Sequence, residues 1–266
     1  MMTATLRVTL VQEASGLDPA ANRRRLVEVL DEVGPDADLV VLPEVFARDF
    51  GKAGSDVSAY AEPLDGPFAT AVAEAARRHD VTVVAGMFET SDDPERPWNT
   101  LVVSGPDGPD GPGAASYRKI HLYDSFGYRE SDRLTAGAPT PVTVDVRGFT
   151  VGLMTCYDLR FPELARRLVV DHGAEVLVCP AAWVAGEGKG HHWRTLVHAR
   201  AIENTAYVVA AAQPAPRYTG LSTIVDPEGR VVVEAGDGPT TVSGVVDRDV
   251  LVGARRTNPS LANRRL

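Results

Sequence analysis

Asp38-Leu-Val-Val-Leu42 is a short, unbroken apolar run that Pro43 stops and Glu44 follows at once. A strand of this kind has no polar face to turn toward water, so it calls for cover on both sides. Val81 to Gly86, Thr150 to Met154 and Glu175 to Cys179 are further short apolar strands. Helical stretches stand between such runs: residues 19–33 with Leu26, Val29, Leu30 and Val33 on one face, an alanine-rich stretch at 67–79, a third at 162–172 with Pro162 in its first turn, and a fourth at 191–203. The alternation predicts an α/β fold. Leu6 to Val11 alternates, with Arg7 and Thr9 facing away from Leu6, Val8 and Leu10. Trp98 to Val103, Ala114 to Arg118, a hairpin of 142–146 with 149–154, Tyr207 to Ala211, a second hairpin across Asp226-Pro-Glu-Gly229, and Thr241 to Val246 complete the strands. The Gly-Pro-rich stretch 104–113 reads as a mobile hairpin loop, and residues 120–140 as a long structured loop that walls a pocket. The basic tail from Gly253 is expected to pack onto a partner. No composition break divides the 266 residues, which read as one domain, 1–266.

A formal net charge of −9 argues against a general nucleic-acid or anionic-membrane binder, whose affinity would rest on a positive surface. Met1 to Leu10 has neither a basic n-region nor a continuous apolar stretch, and no apolar run reaches the length of a membrane span. Two cysteines in a chain of this length make a disulfide scaffold implausible and predict a reducing, cytoplasmic setting.

Three of the strands share an ending. Each is followed within about two residues by a reactive side chain: Glu44, Lys119 or Cys156. Ligands and catalytic groups of open α/β sheets gather beyond the carboxyl ends of strands, so strands in one sheet region would bring the three together. A thiol of ordinary pKa, about 8.5, is mostly protonated at neutral pH and needs a base or cation beside it. Glu44 can take the thiol proton, return it to an amine leaving group and then activate water. Lys119 is better suited to hold a developing oxyanion, with the Tyr157 backbone N–H as a second donor.

The pieces Leu42-Pro-Glu44, Tyr117-Arg-Lys-Ile-His-Leu122, Cys156-Tyr-Asp-Leu-Arg-Phe-Pro-Glu-Leu164 and Ala199-Arg-Ala-Ile-Glu-Asn204 resemble the nitrilase superfamily of carbon–nitrogen hydrolases, along nearly the whole chain. The resemblance implies a Glu44–Lys119–Cys156 triad, a four-layer α-β-β-α sandwich, no metal or other cofactor, and a homodimer or larger homo-oligomer. The family's second glutamate corresponds to Glu130, in Arg129-Glu-Ser-Asp-Arg-Leu-Thr-Ala-Gly137, although the segment from Lys119 to Glu130 is shorter than in the omega-amidase branch. Tyr157 after the nucleophile favours amides, since true nitrilases resemble Cys-Trp-Glu there. The closest likeness is to the omega-amidase and deaminated-glutathione amidase branch. It implies a small-molecule primary amide as substrate, with an N-carbamoyl amine or a nitrile as the alternatives.

Other conspicuous residues carry plainer readings. Cys179 reads as a small buried hydrophobe. His191 and His192 point about 100° apart on a helix and lack a His-Glu-x-x-His frame, so no metal site is expected. Gly186-Glu-Gly-Lys-Gly190 lacks phosphate-loop spacing and reads as a flexible loop near the site entrance. Arg160 either pairs a substrate carboxylate or forms an ion pair that fixes the turn. Trp183 is placed to line the pocket, and His192 to contact either substrate or a dimer partner. Arg200 and Glu203, three apart on a helix, read as a structural pair.

Overall fold

The computed structural model describes residues 4–109, 111 and 113–265. Asp110 and Pro112 of the Gly-Pro loop, and the first three residues of the stretch read for a leader, lie outside the described residues. The strands are β1 (Thr5–Gln12), β2 (Leu39–Val41), β3 (Thr82–Glu89), β4 (Trp98–Ser104), β5 (Ala115–Arg118), β6 (Asp124–Ser125), β7 (Tyr128–Arg129), β8 (Thr143–Val146), β9 (Phe149–Leu153), β10 (Val176–Val178), β11 (Tyr207–Ala210), β12 (Thr223–Val225), β13 (Val231–Glu234) and β14 (Thr240–Asp247). The helices are α1 (Pro19–Val33), α2 (Pro67–His79), α3 (Pro162–Val170), α4 (Lys189–Asn204) and α5 (Arg248–Thr257).

Two six-stranded sheets stack, in the orders β14-β1-β2-β3-β4-β5 and β13-β12-β11-β10-β9-β8. Each has a parallel centre, β1-β2-β3 in one and β9-β10-β11 in the other, flanked by antiparallel strands. The parallel strands need crossover helices, and these cover the outer faces. Leu26, Val29 and Leu30 of α1 pack with Phe68 and Val72 of α2 against Val40 and Val83. On the other side, Leu164 and Leu168 of α3 and Trp193 and Val197 of α4 join a cluster that continues between the sheets to Leu6, Val8, Val84 and Leu101. The expected α-β-β-α layering is thus present. Among the described residues no helix is long and apolar enough to cross a membrane.

Three local expectations change. Residues 120–140 hold a small β6–β7 hairpin and the short helical turn Glu130–Asp132. Helix α4 begins at Lys189, so the end of the glycine-rich loop is helical. The tail is not simply a polar extension: α5 runs through its first residues, with Leu251 and Ala254 buried. Arg255 there donates to the carbonyls of Thr205 and Ala174, so this part of the tail packs on its own chain.

Candidate active site

The three strand ends do not lie in one sheet. Glu44 follows β2 and Lys119 follows β5 in the first sheet, whereas Cys156 follows β9 in the second. Strands β2 and β5 run in the same direction, because β4 reverses once and β5 reverses back. Their carboxyl ends therefore open on the same edge, and the turn after β9 faces them across the sandwich. Glu44, Lys119, Glu130, Cys156, Tyr157 and Trp183 all line one cavity of about 390 Å³.

Glu44 is held from both sheets. Its Oε1 accepts from Lys119 Nζ at 2.9 Å and from Asn99 Nδ2 at 2.8 Å. Its Oε2 accepts from the Ala182 N–H at 2.6 Å, beyond the end of β10. Gln213, beyond β11, donates from Nε2 to the Glu44 carbonyl at 3.0 Å. The next residue, Val45, has φ of +51°, an uncommon conformation for a β-branched residue. Gly86 in β3 makes room for this path: a Cβ there would overlap Val45 N and come within 2.9 Å of Glu44 Cα.

Lys119 is buried between two carboxylates. Its Nζ donates to Glu44 and to both Glu130 oxygens, at 2.9 and 3.1 Å. Glu130 also accepts from the Tyr123 N–H at 2.6 Å, which ties it to the loop carrying β6 and β7. Gly137 packs against the end of β5, where a Cβ would overlap the Arg118 carbonyl, and its N–H donates to the Lys119 carbonyl at 2.8 Å.

Cys156 opens a helical turn, Cys156–Arg160, with φ of +46°. Left-handed backbone at a non-glycine residue costs on the order of 1–3 kcal/mol and persists only where the surroundings impose it. Here the Cys156 N–H donates to the Pro180 carbonyl at 2.9 Å, extending the pairing of β9 with β10. Burial pushes the thiol well above the ordinary cysteine range, the Glu44 charge adds to this, and Lys119 opposes it. Burial alone would lower Lys119, but Glu130 and Glu44 outweigh it and hold the ammonium well above the usual lysine range. Glu130 is raised by burial, against the pull of Lys119. The resting thiol is therefore protonated at neutral pH, and a nucleophile made from it needs a base such as the carboxylate lining the same cavity.

Aromatic rings and cations make up the walls and rim. Tyr157 packs edge-on against Tyr123, with centroids 5.0 Å apart, and against Phe161. Lys189 donates to the Tyr123 hydroxyl at 2.9 Å and stands 3.6 Å over the Phe126 ring. Arg217 pairs with Asp49 at 2.6 Å and donates to the Gly51 carbonyl. Lys52, exposed on the same rim, has no acidic partner among the described residues. The only acidic side chains among the described lining residues are Glu44 and Glu130, which are buried.

Arg160 and His192 are not among the lining residues. Arg160 Nη2 lies 3.3 Å from His192 Nδ1, and its guanidinium sits 4.9 Å from the Trp183 ring centroid, so the pair stands beside the pocket wall. Arg200 and Glu203 pair at 2.7 Å, as their spacing predicts. Asn99, Lys52, Lys189 and Arg217 are site residues that sequence reading missed. Asn99 lies near the start of a strand that is buried almost throughout, where nothing in the local sequence marks it as a site residue, and the three cations come from separate loops and a helix start.

The carbon–nitrogen hydrolase family profile matches residues 7–256. A deaminated glutathione amidase of Escherichia coli O157:H7 is 41% identical over 231 residues, covering 86% of each chain. Saccharomyces cerevisiae Nit3, a member of branch 10 of the nitrilase superfamily, superposes with a TM-score of 0.82 at 28% identity, over 96% of this chain and 94% of its own. A variant of the amidase from Nesterenkonia sp. AN1, in which acrylamide has added to the active-site cysteine, superposes with a TM-score of 0.79 at 26% identity, over 95% and 97%. With this similarity running along nearly its whole length, the chain belongs to the carbon–nitrogen hydrolases of the nitrilase superfamily, as a small-molecule amidase acting on non-peptide carbon–nitrogen bonds.

Proposed function

We propose that Cys156 is the nucleophile, Glu44 the general acid and base, and Lys119 with the Tyr157 N–H the oxyanion donors. The substrate is an amide that carries a carboxylate away from the reacting carbonyl. The observation that carries this reading is the buried Glu44–Lys119–Glu130 array at the same cavity as a thiol on a left-handed turn. Cys156 Sγ adds to the carbonyl carbon as its proton passes to Glu44, and the oxyanion forms toward the Lys119 ammonium. The C–N bond breaks as Glu44 returns that proton to the nitrogen, leaving a thioester on Cys156. Water then attacks, giving a proton to Glu44, and collapse releases the acid while the sulfur is reprotonated. Glu130 keeps Lys119 charged and oriented through its two hydrogen bonds.

Lys52 and Lys189 on the rim support an anionic substrate, because a carboxylate gains from cations that have no carboxylate partner among the described residues. Deaminated glutathione is such a compound, as are α-ketoglutaramate and succinamate. Its scissile amide is secondary, so the leaving group is an amine; the other two release ammonia by the same steps. A reducing, cytoplasmic setting suits the two free, buried cysteines, and assembly as a homodimer or larger belongs to the same reading.

The test is a turnover panel of deaminated glutathione, α-ketoglutaramate, succinamate, N-carbamoyl-β-alanine and a simple nitrile, following the carboxylate product. Turnover of the acidic amides, with deaminated glutathione fastest, is expected. Turnover of the carbamoyl compound alone would replace the amide by a carbamoyl substrate, and turnover of the nitrile alone would contradict the reading.

A further inference from the structure

Asp158 lies two residues after Cys156, is fully buried, and is not among the residues that line the cavity. Its carboxylate is nevertheless the meeting point of the segments that carry two members of the triad. Oδ2 accepts from the Thr155 N–H at 2.9 Å and from the Tyr117 hydroxyl at 2.5 Å. Oδ1 accepts from the His121 N–H at 3.1 Å and contacts His121 Nδ1 at 2.7 Å. Thr155 directly precedes Cys156, while Tyr117 and His121 bracket Lys119 at two residues on either side. The chain leaves β5 at Arg118 and bends at residues 120 and 121, so Tyr117 and His121 both dock on Asp158 while Lys119 between them reaches Glu44 and Glu130.

We propose that Asp158 is a positioning residue that sets the placement of Cys156 relative to Lys119, and so the geometry in which the thiol and the oxyanion donor act together. The proposal rests on the reading of Cys156 as nucleophile. A carboxylate has about four acceptor sites, and Asp158 has four partners, with one backbone N–H on each oxygen. An asparagine there must turn its NH₂ toward one of those backbone N–H groups, whichever way the amide is flipped. Either the Thr155 side or the His121 side then loses its acceptor, and the two segments come apart. The Cys156 turn is the vulnerable partner, since its left-handed φ depends on the bonds around it.

The test needs no identified substrate. Alkylation of Cys156 by iodoacetate, which has no carbon–nitrogen bond to hydrolyse, is timed by mass spectrometry in the folded protein for wild type, Asp158→Asn, Lys119→Gln and the double variant, with melting temperature recorded for each. Asp158→Asn is expected to slow labelling by about tenfold or more, the scale that misplacement of a reacting group produces. In the Lys119→Gln background the same change is expected to slow it by less than about threefold further, because residues that act as a unit are not additive. Labelling of Asp158→Asn at the wild-type rate, or losses that simply multiply, would overturn the proposal. Should Asp158→Asn not fold, Tyr117→Phe carries the test by deleting a single donor: slowed labelling at a retained melting temperature supports the clamp, and wild-type labelling overturns it. Wild-type protein that does not label at Cys156 at all would remove the triad and the clamp together, whereas loss of the clamp alone leaves the wild-type result intact.

Discussion

Lys52 and Lys119 are both lysines in one cavity, and their surroundings give them different work. Lys119 is enclosed by two carboxylates and has no freedom to follow a substrate. Lys52 is exposed at the rim with no acidic partner among the described residues, so it is free to meet an anion. An exposed ion pair contributes about 0.2–1 kcal/mol, which is up to about fivefold in binding. Lys52→Ala is therefore expected to raise KM for an acidic amide by a few-fold, leave kcat unchanged, and leave KM for a neutral amide where it was. Steady-state kinetics with succinamate and with an uncharged aliphatic amide check this. Equal effects on both would mean that Lys52 shapes the pocket without reading charge.

At the scale of elements, the site depends on close passage of one segment over another. The Glu44–Val45 step crosses β3 at Gly86, where any Cβ would collide with the backbone. Gly86→Ala must displace the Glu44 segment or the centre of the sheet, and overpacking of this kind costs about 1–3 kcal/mol. A lower melting temperature together with a fall in kcat of roughly tenfold or more is expected, because displacement of a reacting group by about 1 Å has that effect. Unchanged kcat in a destabilised protein would show that Glu44 is not held through this crossing. The elements themselves were legible from periodicity. Residues 19–33 and 67–79 carry clear apolar faces, and the observed α1 and α2 have those bounds. The partition of strands into two sheets was not legible, because pairing is set by long-range contacts and both sheets use the same short apolar runs. The three reactive strand ends could be listed in sequence order, but the placement of Cys156 opposite Glu44 and Lys119 needed the fold. Helix α5 escapes the reading for a local reason: its large apolar residues Val250, Leu251 and Val252 are consecutive instead of spaced at helical intervals, and they run straight into a basic tail. Glu130 lies on a loop with no regular period, and its tie to Lys119 depends on the β6–β7 hairpin folding back.

For the whole molecule, the site leaves a signature in stability against pH. Cys156 and Tyr117 are raised by burial, and Lys119 is held up by its carboxylates against burial. Tyr218, buried and bonded to Asp49 at 2.6 Å, is raised as well. Each group keeps its proton in the folded chain at pH values where the unfolded chain has released it. Unfolding is then accompanied by proton loss, and the free energy of unfolding falls as pH rises above the ordinary cysteine value of about 8.5, with tyrosine and lysine adding from about 10 upward. Melting temperature is expected to decline steadily between about pH 9 and 11; a flat or rising profile there would mean that these groups are not buried in their protonated forms.

In the proposed mechanism one thiol, on the turn after β9, carries the reaction. This is tested most directly by following turnover of deaminated glutathione by wild type and Cys156→Ala, with the wild-type reaction acid-quenched and the acylated peptide mapped by mass spectrometry. An acyl adduct on Cys156 is expected in the wild type, with no turnover above background in the variant. A Cys156→Ala protein that still hydrolyses the amide, or an acyl group mapped to Cys179, would contradict that mechanism.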